Sequence, residues 1–182
     1  MAKTNLKNYT VQEKLNKMDV DLIDVVCSPD ADNQGAQTAG DLLFQVTEIP
    51  NAVAVPGGSA LLQSVVAVSS GEVETGAFDL VFTSDATALV DESGSAETGD
   101  VVTTASSDID SPASVAEGHC GVVSFNSLTQ ISTTAAVGDE HNLGIVVKAA
   151  AGSTSIYVYG IVQNTADYNE GRLLLRVGLV KD

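Results

Sequence analysis

The chain has 182 residues, enough for one domain with a substantial core, or for one domain and an arm. Valine occurs 25 times, against four Phe, four Tyr and no Trp, and branched side chains of this kind suit pleated sheets. The net charge is −16, which disfavours contact with phosphate and hence DNA or RNA binding by the body of the protein.

Charge is unevenly placed. Lys and Arg occur at 3, 7, 14 and 17 and then not again until Lys148, Arg172, Arg176 and Lys181, so residues 18–147 carry 20 Asp and Glu and no basic side chain. The start, M-A-K-T-N-L-K-N-Y-T, is basic but lacks the apolar run of a secretory signal, and no segment approaches the roughly 18 apolar residues of a membrane span. A reducing cytoplasm is therefore the expected place of folding. Cys27 and Cys120 read as small buried apolar residues there, with a disulfide between them as the alternative.

Residues 1–26 differ in pattern from the rest of the chain and read as an N-terminal arm, partly helical, with residues 27–182 as an acidic β domain. Thr10-Val11-Gln12-Glu13 fits a capping box, and Val11, Leu15, Met18 and Leu22 recur at helical spacing, with Lys14 and Lys17 off that stripe. This predicts a short helix over about 10–18 that docks on a partner, or that packs on its own domain. After Cys27 the turn-rich S-P-D-A-D-N-Q-G-A-Q-T-A-G-D places Asp30, Asp32, Gln34, Gly35 and Asp41 on a calcium-loop template. Gln34 is the wrong residue type, Asp41 is one carbon short for bidentate reach, and a strand pattern rather than a helix comes next. An Asp-rich turn is the better reading.

Asp41–Ile49 reads as the first strand of the body, with Leu42, Phe44, Val46 and Glu48 alternating against Leu43, Gln45 and Thr47. Ala52–Val55 reads as a short edge strand, because Pro56 cannot donate to a ladder. Leu61–Val68 and Ala77–Thr83 come after the turn signal Pro56-Gly57-Gly58-Ser59; in the second strand Phe78, Leu80 and Phe82 take one face. Residues 84–118 are polar, with Val101–Thr104 a short strand candidate and Ser111–Gly118 fitting one helical turn. Val122–Phe125 and Thr129–Thr133 are strands, Asn142–Lys148 and Ser155–Gln163 should form a hairpin, and Arg172–Val180 closes the chain. About seven to nine strands at short spacing predict an all-β protein, a β-sandwich or jelly-roll-like barrel with a short N-terminal helical arm.

The stretch N-A-V-A-V-P-G-G-S-A-L-L-Q-S-V-V-A-V, then an acidic loop and D-L-V-F, resembles small virion structural proteins of tailed bacteriophages. The closing R-L-L-L-R-V-G-L-V-K-D fits the same picture, and the resemblance runs from about Gly40 to the end. It implies a protein of the capsid decoration or cement type, on the outer capsid surface of the virion after assembly in the host cytoplasm. Its partners would be the major capsid protein and copies of itself, most simply as a homotrimer. In that setting Lys3, Lys7, Lys14 and Lys17 would meet acidic shell surface while Val11, Leu15 and Met18 bury against it. An acidic body would face away from packaged DNA; the plainer account is that its acidity keeps a valine-rich protein soluble.

No catalytic pattern competes with this. His119 and Cys120 are adjacent, and strand neighbours point to opposite faces, so adjacency makes no dyad. Ser59 in G-G-S-A-L lacks the second glycine of a nucleophile elbow. Two histidines and two distant cysteines give no zinc spacing, and no phosphate-cradling glycine loop is present. Twenty acids in residues 18–147 leave accidental carboxylate pairs open, but Tyr157, Tyr159 and Tyr168 make a thin aromatic platform for sugar. The expectation is a non-enzymatic structural protein without cofactor or metal, contacting neither nucleic acid nor membrane. A tail, neck or fibre component, or a receptor- or glycan-binding β module, are the alternatives.

Overall fold

The computed structural model describes residues 20–27, 39–40, 42–70, 76–84, 118–164 and 172–181. Their elements are nine strands: β1 (Val20–Cys27), β2 (Leu42–Ile49), β3 (Ser59–Ser70), β4 (Phe78–Thr83), β5 (His119–Phe125), β6 (Thr129–Ser132), β7 (Ala135–Lys148), β8 (Ile156–Val162) and β9 (Arg172–Lys181). They form two antiparallel sheets, one ordered β1-β9-β3-β7-β6 and the other β2-β8-β4-β5. The all-β reading holds, and the architecture is a β-sandwich.

Period-two patterning builds the space between the sheets. Leu173, Leu175, Val177 and Leu179 of β9 and Ala60, Leu62, Val65 and Ala67 of β3 are buried in one cluster. From the other sheet the same cluster takes Phe78, Leu80 and Phe82 of β4 and Ile156, Val158 and Val162 of β8. Phe78 stacks on Phe125 at 5.1 Å between ring centroids, which extends the core under β5. The shift from Leu62 to Val65 on the inner face marks a β3 bulge, where the register with both β7 and β9 slips between Leu62 and Ser64. Opposite it, β7 turns through Asn142 and Gly144, both at positive φ.

β4 is buried on both faces at Val81. Its Val81 joins Leu42 and Tyr159 in a second buried cluster on the outer side of the four-stranded sheet, with Val46 and Ile161 packed against it. This explains why β2 departs from simple alternation: Leu42 belongs to the outer cluster, Leu43 and Phe44 to the core, and the β2–β8 register slips between Leu42 and Phe44 and again before Thr47.

Three sequence expectations are corrected. The segments 142–148 and 155–163 do not pair as a hairpin: β7 lies in the five-stranded sheet against β3 and β6, and β8 in the other against β2 and β4. The link between them crosses from sheet to sheet beside the β2–β3 link, and the two are tied together by Val53 N–H donating to Thr154 O, Gly57 N–H to Ser153 O and Ala149 N–H to Gly58 O. Those same bonds hold 52–55 as a turn rather than an edge strand, entered through Asn51 at φ 53°. Residues 20–26, read as the end of the arm, form most of β1, which pairs with β9 along its whole length from Val20↔Val180 to Cys27↔Leu173. Leu22 is thereby a strand residue and not part of a helical stripe. The segments assigned to Val101–Thr104, to the turn at 111–117 and to the helix at 10–18 lie outside the described residues.

Candidate functional site

The arm residues Lys3, Lys7, Val11, Lys14, Leu15, Lys17 and Met18 lie outside the described residues, as do Asp30, Asp32, Gln34, Gly35 and Asp41 of the calcium template. The residues singled out as a nucleophile–base candidate, His119 and Cys120, do lie within them, at the start of β5. They line a cleft of about 540 Å³ with Ser84, Val146, Lys148 and Ala149–Ala151.

A bulge places the two side chains. Phe82 pairs with Gly121 and Thr83 with His119, so Cys120 is the extra residue on the β5 side. The His119 ring turns to the outer face of the sheet, where Nε2 shares a 2.9 Å hydrogen bond with Tyr159 Oη, its direction set by the tautomer. Ring and phenol meet edge to face. Burial pushes the Tyr159 phenol up to about 12, so it keeps its proton through the neutral range.

Cys120 turns the other way, toward the edge of β7. Lys148 N–H donates to Sγ at 3.5 Å, and the thiol reaches Lys148 O at 3.7 Å and Gly118 O at 3.8 Å. β6 pairs with β7 only over Ala135–Val137, so the thiol serves the far end of β7 as a stand-in for a ladder partner. Burial raises its pKa, and the Lys148 N–H works against that shift as the lesser effect. A protonated thiol bonded to backbone, with the neighbouring imidazole engaged by a phenol, is not an activated nucleophile. Cys27 is a free thiol sealed in the core, where burial pushes it up to about 12. Cys120 is free as well. Among the described residues no group of three or more His, Cys, Asp and Glu stands close enough to hold a metal ion.

Ion pairs concentrate on the five-stranded sheet. Arg176 grips Asp24 with two hydrogen bonds of 2.7 and 3.0 Å across the β1–β9 pair, and Lys181 meets Asp21 at 2.6 Å. The Arg176 guanidinium holds the Asp24 carboxyl below its ordinary value and is itself raised by it. His141 contacts Asp139 at 2.7 Å on β7. Sequence reading missed the first two pairs because Asp24 and Arg176, like Asp21 and Lys181, meet only once the β1–β9 register is known. It missed the His119–Tyr159 bond because β5 and β8 come together only through their shared neighbour β4.

No family model and no curated protein matches the chain. Among solved structures it is similar to a chain of the heated full particle of Israeli acute paralysis virus, at 12% identity over 99% of this chain and 81% of that one, with a TM-score of 0.23. It is also similar to the Triatoma virus empty capsid, at 10% identity over 90% of this chain and 87% of that one, TM-score 0.29. A third likeness is to deformed wing virus, a honeybee pathogen, at 10% identity over 90% of this chain and 43% of that one, TM-score 0.28. Superpositions this loose place the chain in no family.

Proposed function

We propose that the chain is a structural protein of a virion, of the kind that decorates or cements the outer surface of a phage capsid. The observation that carries this reading is the stretch whose pattern resembles phage virion proteins. Its two strands are β3, flanked by β7 and β9, and β4, flanked by β5 and β8, so the resembling residues form the middle of each sheet. Supporting it are the run of 130 residues without a basic side chain, 18–147, which suits a surface turned away from packaged DNA, and a cleft whose thiol and imidazole are engaged elsewhere.

The mechanism is linkage. A protein that binds across neighbouring shell subunits only once they are assembled shifts the equilibrium toward the assembled shell, without any chemical step. The arm supplies the grip: Lys3, Lys7, Lys14 and Lys17 toward acidic groups of the major capsid protein, and Val11, Leu15 and Met18 into an apolar groove. A homotrimer would suit positions of local threefold symmetry. The test is a chain lacking residues 1–18, mixed with particles stripped of this protein. Attachment should be lost while the circular dichroism of the β domain is kept; normal attachment would remove the arm from the mechanism.

A further inference from the structure

The outer face of the five-stranded sheet is organised in cross-strand rows. At one end Val20, Val180, Leu61 and Val146 stand side by side across β1, β9, β3 and β7. Toward the other end Val26, Leu174, Val68 and Val137 form a second such row. Between them lie Leu22, Gly178 and Ser64, then the Asp24–Arg176 pair. Gly178 makes the first of these rows low: a Cβ there would collide with Ser64 Oγ and crowd Val20.

This face is open. Val20 is 46% exposed, Leu22 62%, Val26 59% and Val146 62%, a concentration of apolar surface that soluble monomers seldom show without a partner. It also carries three of the four described cations, Lys148, Arg172 and Arg176, which alternate in phase with Val146, Leu174 and Val180. Every Lys and Arg among the described residues belongs to β7 or β9 of this sheet, whereas the described strands of the other sheet carry Glu48 and Asp79 and no cation. Asp24 and Asp21 engage Arg176 and Lys181; Lys148, beyond the first apolar row, and Arg172, beyond the second, meet no carboxylate among the described residues.

We propose that this face is a second attachment surface, and that its occupant is a protein surface whose apolar patch is bordered by carboxylates placed to meet Lys148 and Arg172. A second copy is the poorer fit: face to face about a twofold, it would bring its own Lys148 and Arg172 to the same rows, cation against cation. The inference rests on the virion reading only in taking the shell as the bearer of that surface.

The experiment mixes full-length protein with stripped particles and measures the bound fraction by sedimentation. Leu22→Glu should weaken attachment by about ten-fold or more, as expected for a charge buried at an interface centre. Val122→Glu, at a comparably exposed valine of the other sheet, should change it by less than about two-fold. Lys148→Glu combined with Arg172→Glu, at exposed strand ends where folding is not at stake, should weaken attachment and reduce its salt sensitivity, the arm lysines keeping the rest. Wild-type binding matched by both the Leu22 variant and the double variant would overturn this surface and leave the virion reading standing. Binding of no variant, wild type included, would remove the virion reading and this occupant together. Loss of a dimer or trimer of the isolated protein on Leu22→Glu would make the occupant a second copy, and so also overturn the proposal.

Discussion

Gly160 shows how tightly single residues are held in this sandwich. It sits on the inner face of β8 opposite Phe44, and a Cβ there would stand 2.5 Å from Phe44 Cε1 and 3.1 Å from Leu43 Cβ. Both neighbours are buried, so neither can swing aside. Gly160→Ala should cost about 1–3 kcal/mol of stability, read as a lower urea midpoint at unchanged m-value. A different residue-scale signature comes from Cys27 and Tyr159, which burial moves from 9.0 and 10.0 to about 12. Each keeps its proton in the folded state after the unfolded chain has lost it. Their contribution is therefore complete below pH 9 and pH 10 respectively and is lost as pH rises toward 12, at about 1.4 kcal/mol per pH unit for each group. Urea midpoints at about pH 8 and about pH 10.5 should fall more for the wild type than for Cys27→Ala. Equal falls would mean that the core thiol is not protected.

At the scale of elements, β1 is the first described strand of the β-sandwich. V-D-L-I-D-V-V-C can be read with Leu22 on a helical stripe or as a strand with Ile23, Val25 and Cys27 inward. Pairing with β9 decides for the strand, and that pairing partner stands some 150 residues away in sequence. A deletion of residues 1–18 should leave the melting transition in place. A deletion of residues 1–27 should abolish cooperative unfolding, because it bares the β9 edge and takes Val25 and Cys27 from the core. Similar melting of the two truncations would contradict the role given to β1. The same contrast shows what was legible in the sequence. β2, β4, β8 and β9 were readable to within a residue or two at their ends, since Phe78, Leu80 and Phe82, or Leu173 and Leu175, announce a buried face on their own. Which strands share a sheet was not readable. Asn142–Lys148 and Ser155–Gln163 look like a hairpin because a strand pattern carries no mark of its sheet, and the bonds that separate them run to the distant turn at Gly57 and Gly58. The outer rows of the five-stranded sheet were hidden likewise, because Val20, Val180, Leu61 and Val146 become neighbours only through three registers.

At the scale of the whole molecule, a chain with 20 acids and no base over residues 18–147 keeps its described cations on one sheet, beside the open apolar rows. On the proposed reading, that asymmetry gives the protein a side for contact and a side for solvent, as attachment to a larger assembly requires. The central claim, that this assembly is a virion shell, is most directly tested by counting copies of the chain in purified particles of its source relative to the major shell protein. The account predicts a simple fraction of the shell copy number, as decoration of repeated shell positions demands. A handful of copies per particle would move the protein to the tail or a unique vertex, and its complete absence from particles would contradict the virion reading altogether.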